Sequence, residues 1–179
     1  MAGTYTAVTL SVDVTGEKSD LLTLLTDQRE MFLITVAGLS NDQARERSTV
    51  SELTLGGLLK HLAQVERATT ASIIARDENS VFDPEGMTDA YTFGADDSVE
   101  DAIAEYRAAA ADFDRLIAES DLDDLIPQAT APWQPDREWW TIRKMALHLL
   151  RETAHHSGHA DIIRESLDGQ TTMEALFSG

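Results

Sequence analysis

His148-Leu149-Leu150-Arg151-Glu152-Thr153-Ala154-His155-His156-Ser157-Gly158-His159-Ala160-Asp161-Ile162-Ile163 holds four of the five histidines of this 179-residue chain. Its apolar residues recur with helical spacing, so it reads as the middle of a helix from about Thr141 to Leu167, ending before Gly169. At about 100° per residue, with Glu152 set to 0°, Met145 and Ile163 project to about +20° and Leu149 to about +60°. His159 falls at about −20°, His156 at about +40°, His148 at about −40° and His155 at about −60°. Glu152 and several imidazoles therefore share the apolar stripe, which is expected to face the interior. An ionised carboxylate there needs a partner, and a divalent cation would supply one.

Residues four apart on a helix point the same way and can chelate one ion. Three pairs have that spacing: His148/Glu152, Glu152/His156 and His155/His159. His156/His159, three apart, is a fourth option, and spacing does not choose among them. Two nitrogens and a carboxylate would leave coordination positions open, as catalysis requires. Zinc, nickel, iron and manganese all suit such a set. The string is not HExxH, which argues against a zincin-type protease. The competing reading is a histidine-rich surface helix whose Glu152 pairs with Arg151 or Arg143.

Outward from this helix, three more amphipathic patterns appear. Ser19 to Gly38 carries Leu21, Leu22, Leu25, Phe32, Leu33 and Val36 near one stripe. A second pattern starts at Thr54, an N-cap residue type. It carries Leu55, Leu58, Leu59, Leu62 and Val65, with the fifth histidine, His61, on the same side, and continues to about Arg76. A third starts at Ser98, with Asp101 in a weak capping-box position, and carries Ala102, Ile103, Tyr106, Phe113, Leu116 and Ile117. Four long helices without a central strand point to an all-α four-helix bundle. Residues 77–97 and 120–140 read as long connections, a length that is uncommon and often functional. Residues 1–16 read as a short extended N-terminal arm, and residues 17–179 as the bundle domain.

The composition excludes more than it identifies. Lys and Arg number 14 against 32 Asp and Glu, a formal charge of −18. Nucleic acid and anionic membranes both require a cationic face, so neither is expected as a partner. Residues 77–124 hold 16 of the acids against Arg107 and Arg115, and read as a solvated surface. No apolar run approaches the roughly 20 residues of a membrane helix, and Met1 to Gly16 lacks the cationic start of a signal peptide. A cytoplasmic protein is expected. There is no cysteine, hence no disulfide, no thiolate metal site and no cysteine nucleophile.

Two strings carry a family resemblance. One is Thr54-Leu55-Gly56-Gly57-Leu58-Leu59-Lys60-His61-Leu62. The other runs from Trp140-Thr141-Ile142-Arg143 through the histidine helix to Arg164-Glu165. Together they resemble the DinB-like superfamily over about residues 17–175, in an actinobacterial subfamily related to mycothiol-dependent maleylpyruvate isomerase and to thiol S-transferases. The resemblance implies a bundle with an up-down-down-up path that forms a homodimer. It also implies a divalent metal held by one histidine of the second long helix and two ligands four apart on the last. Many relatives have two histidines there, followed two residues on by glycine. Counting back from Gly158 places the pair on Glu152 and His156, the Glu-x-x-x-His form of the isomerase. The implied ligands are His61, Glu152 and His156, with His159 as a substitute.

The expected function is that of a metal-dependent enzyme using a low-molecular-weight thiol such as mycothiol on a small-molecule electrophile. A metal-dependent hydrolase is the first alternative, with His155 or His159 as catalytic base. A non-catalytic metal- or ligand-binding dimer is the second. Trp133, Trp139 and Trp140 are candidates for a pocket wall, against ordinary packing of the loop onto the bundle, which is the expectation for at least two of them. Arg137 and Arg143 are candidates to hold a substrate carboxylate, against a plain surface ion pair.

Overall fold

The computed structural model describes residues 8–84 and 89–177. Four long helices form the protein: α1 (Glu17–Val36), α3 (Leu55–Ala75), α4 (Val99–Glu119) and α5 (Ile142–Asp168). Two short helices, α2 (Asn41–Arg45) and α6 (Thr172–Phe177), and two three-residue strands, β1 (Leu125–Pro127) and β2 (Trp139–Thr141), complete the elements among the described residues. The sequence pattern predicted the long helices to within about two residues at each end, the usual fraying of boundaries. It did not predict the short elements, which are below the length at which a period can be read.

Three of the four long helices start at side-chain caps, whereas α1 follows Gly16 without one. Thr54 Oγ1 accepts from Gly57 N, Ser98 Oγ from Asp101 N and Thr141 Oγ1 from Lys144 N, each at 3.1 Å. Each cap satisfies a backbone donor that the first turn leaves orphaned, an effect of about 1 kcal/mol.

Contacts between helices fix the path. Glu17 meets Arg143, Gln28 meets Ser157, and Arg164 donates to the carbonyl of Thr35, so α1 and α5 run parallel. Lys60 pairs with Asp97, Arg67 with Glu105 and Arg76 with Asp124, so α3 and α4 also run parallel. Lys18 reaches the Ala118 carbonyl while Glu30 meets Arg107, which makes α1 and α4 antiparallel. The path is up-down-down-up. Parallel neighbours cannot be joined by a tight turn, so the chain from Arg76 to Ser98 must travel back along the bundle. That requirement is the physical reason for the long aperiodic segment in the sequence.

Two apolar clusters fill the interior. One gathers Phe32, Val36, Leu55, Leu58, Leu62, Tyr106 and Ile163; the other gathers Leu22, Leu25, Ile73, Phe113, Ile126, Met145 and Leu149. Leu10, Val12 and Val14, from a segment with neither helix nor strand, pack against the second. Between the clusters lies a buried ionic layer that the sequence pattern did not reveal. Arg29 Nε and Nη2 bind the two carboxylate oxygens of Glu66 at 2.6 and 2.8 Å, and Nη1 binds Asp114 at 2.8 Å. Arg29 is 3% exposed and Glu66 0%. Burial pushes Arg29 towards neutrality, but the two carboxylates more than reverse this and hold it charged.

The second connection, from α4 to α5, closes as an antiparallel pair with Ile126 opposite Trp140. Arg137 binds Ser80 and the Gln128 carbonyl and so ties this hairpin to the start of the crossover. No described helix is long and apolar enough to cross a membrane.

Candidate functional site

α3 and α5 bring His61 and His156 together at mid-height of the bundle. Both rings are buried, with centroids 4.8 Å apart. One turn before His156 on α5, Glu152 turns its carboxylate to the same point, with Oε2 3.8 Å from His156 Nε2. Potential ligand atoms of His61, Glu152 and His156 all lie within 4.8 Å of one another. The point opens to solvent through a depression of about 820 Å³, lined by Tyr91, Arg151, Glu152, Ala154, His155 and His156.

The electrostatics suit cation binding. Burial lowers the pKa of His61 to about 4, reinforced by His156 and opposed by Glu152. Burial also lowers that of His156, against the pull of Glu152. Both imidazoles are therefore neutral near pH 7, the form that donates a lone pair. For Glu152, burial pushes the pKa up. The Arg151 hydrogen bond and the neighbouring positive charges outweigh it, so the net shift is downward and the carboxylate stays ionised. The buried Nδ1 atoms of His61 and His156 have no hydrogen-bond partner. It is their Nε2 atoms that face the Tyr91 hydroxyl, and that of His156 also faces Glu152. Two neutral imidazoles and one carboxylate, convergent and reached from one open side, fit a divalent cation with a free coordination position.

Residues 20–169 match the family model described as mycothiol-S-transferase. The chain belongs to the mycothiol-S-transferase family. That family lies within the DinB-like superfamily. Among solved structures, a conserved protein from Enterococcus faecalis has a TM-score of 0.66 at 15% identity, covering 88% of this chain and 100% of its own. That likeness supports the fold alone. No curated protein matches the chain significantly.

In this mycothiol-S-transferase family member the remaining sequence candidates fall outside the three-residue group. His159 is half-buried, with its ring 4.5 Å from that of His155 and 5.6 Å from that of His156. His155 is exposed on the rim of the depression. His148 Nδ1 takes a hydrogen bond from Arg151 at 2.8 Å and lies 3.6 Å from Glu152, so it stands behind the carboxylate.

One expectation needs correction, and for the tryptophans and the two arginines the pocket and carboxylate candidacies give way to packing, ion pairs and loop contacts. The Glu152 side chain is 22% exposed and bonds Arg151 at 3.0 Å, so it edges the interior instead of facing it. Among the described residues the buried glutamate is Glu66. None of the three tryptophans lines the depression. Trp133 is 70% exposed and packs edge-on against Phe82, Trp139 is also exposed, and Trp140 contacts His148 edge-on. Neither arginine of the substrate-carboxylate expectation is free. Arg137 is spent on loop carbonyls, and Arg143 on Glu17 and Asp123.

Sequence reasoning missed Tyr91. Its ring stacks on His61 with centroids 4.1 Å apart, and its hydroxyl stands 3.1 Å from His61 Nε2 and 3.5 Å from His156 Nε2. The overlooked signal was Gly56-Gly57, since glycine is a poor helix former. A Cβ at Gly57 would collide with the Tyr91 carbonyl oxygen, and one at Gly56 would lie 2.5 Å from Cγ of Phe93. The two glycines form a notch on α3 that receives the crossover.

Proposed function

We propose that this chain is a metal-dependent S-transferase that joins mycothiol, a low-molecular-weight thiol, to a small electrophile. The observation that carries the reading is the convergence of His61, Glu152 and His156 beside an open depression, in a chain of the mycothiol-S-transferase family. His61, Glu152 and His156 would hold the cation, with zinc, nickel, iron and manganese all compatible with two imidazoles and a carboxylate. A divalent cation bound there lowers the pKa of a coordinated thiol, so that thiolate is present at neutral pH.

The chain's own residues divide the remaining work. His61 and His156 offer lone pairs because burial keeps them neutral. Arg151 holds the Glu152 carboxylate from behind through a hydrogen bond, and His148 accepts from the same Arg151 nitrogen and so fixes the guanidinium. His155, exposed on the rim, would accept the proton that the thiol releases, with His159 beside it. The attacking sulfur must come from the ligand, because the sequence contains no cysteine. The same reading takes the protein to be a cytoplasmic homodimer, which size-exclusion chromatography with light scattering tests.

The deciding experiment follows monochlorobimane, an electrophile that becomes fluorescent on thiol addition, with and without mycothiol. Protein is used as purified, after chelation, and after restoring each candidate metal. Product formation above the spontaneous rate is expected only when metal and mycothiol are both present. Loss of an ester substrate without any thiol would instead select the hydrolase reading. Tight metal binding with neither activity would select a binding protein.

A further inference from the structure

We propose that Tyr91 is a catalytic residue of this site, its phenol donating a hydrogen bond to the sulfur of the bound thiol. This rests on the site being a thiol-binding metal centre, as proposed above. The hydroxyl lies 3.1 Å from one imidazole Nε2 and 3.5 Å from the other, so it is directed at the point where the ligand atoms converge. Tyr91 also forms one wall of the depression through which a ligand reaches that point. A phenol carries a single donor proton. When a cation takes the imidazole lone pairs, that proton needs another acceptor. A thiolate entering the open ligand position is an anion, and hydrogen bonds to charged acceptors are among the stronger ones. Of the polar groups lining the depression, Arg151 is already committed to Glu152 and His148.

The phenol is held in place by several independent contacts. Tyr91 comes from the crossover, which has no helical register of its own, yet its backbone is docked closely. The Gly56-Gly57 notch admits the Tyr91 carbonyl and the Phe93 ring. Arg45 donates to the carbonyls of Gly94, Ala95 and Asp97 at 2.8, 2.9 and 2.7 Å, and its guanidinium lies over the Phe93 ring. Lys60, one residue before His61, holds Asp97 at 2.7 Å. The helix that supplies a ligand thus also fixes the loop that supplies the donor, which sets their distance.

The test titrates the cobalt(II)-loaded protein with mycothiol and follows the thiolate-to-cobalt charge-transfer absorption. Tyr91→Phe is expected to retain wild-type metal content by elemental analysis and to bind mycothiol about tenfold more weakly. Gly57→Ala keeps the phenol but displaces the backbone that carries it. It is expected to weaken the same titration, with metal content and helical circular dichroism unchanged. Equal mycothiol affinity in Tyr91→Phe and wild type overturns the proposal alone. Loss of metal from Tyr91→Phe overturns it too, by making the phenol a ligand. A wild-type titration with no charge-transfer band overturns the metal–thiol reading, and the proposal with it.

Discussion

Two clusters of ionisable side chains sit at mid-height in this bundle, and α3 contributes to both. In the inner layer, Arg29 meets Glu66 and Asp114 through three short hydrogen bonds, away from the open depression. In the outer cluster, His61, His156 and Glu152 converge without direct bonds among them, beside that depression. The inner layer uses its polar capacity on itself; the outer one leaves buried imidazole nitrogens unmet. Burial of charge alone does not mark a functional site in this protein. What singles out the candidate site is the convergence of three metal-type ligand groups beside an opening.

The largest expected effect comes from breaking the inner layer. Arg29→Met leaves Glu66 and Asp114 buried without their cation, and is expected to cost about 3–5 kcal/mol in urea unfolding. A loss below about 1 kcal/mol would show that the inner layer is not a closed network. Next come the outer ligands. His61→Ala and His156→Ala are each expected to retain less than about a tenth of the wild-type metal by elemental analysis, while His148→Ala, behind Glu152, retains most of it. Their chelator-treated forms should unfold at urea concentrations much nearer wild type than Arg29→Met does. Full metal content in His61→Ala would remove the distinction between the two clusters.

The smallest effect is a pH slope. In the folded chain the His61 pKa is lowered from its ordinary 6.5 to about 4, and those of His156 and His148 are also lowered. Between these values the unfolded chain binds more protons than the folded one. Stability of the chelated protein is therefore expected to fall as pH drops from about 6.5 towards about 4, and the His61 contribution to level off below that. His61→Ala should flatten this slope in urea midpoints measured across that range; an unchanged slope would mean that the ring is not buried in its neutral form.

The long helices were legible because each buries one stripe, and a 3.6-residue period survives in sequence wherever one face is buried. Thr54, Ser98 and Thr141 were legible or nearly so because a cap is a local event. The histidine cluster on α5 was visible because i,i+4 geometry is local too. Arg29 and Glu66 were hidden within stripes of leucine, valine and phenylalanine. One polar residue on an apolar face is ambiguous until its partner on another helix is known. Tyr91 was invisible because no period links residues 77–97 to α3. Their meeting is decided by close approach at two glycines, and only the glycines hinted at it. The tryptophans were open to two readings because aromatic residues in a long connection suit either a pocket wall or packing; Trp133 packs on Phe82, and Trp140 on His148 and Lys144 of α5.

The parallel arrangement of α3 and α4 has one more consequence. The crossover has 23 residues between Ala75 and Val99 to return along helices of 21 residues. Such a helix is about 31 Å long, and an extended chain of that many residues reaches about 75 Å. The tether is therefore more than twice as long as its span demands. Slack of this kind can be respelled without disturbing the four-helix scaffold, so long as the notch and the Arg45 clamp still seize residues 91–97. A lineage could change what its site grips by rewriting a strap, with the imidazoles and the ionic layer left as they are.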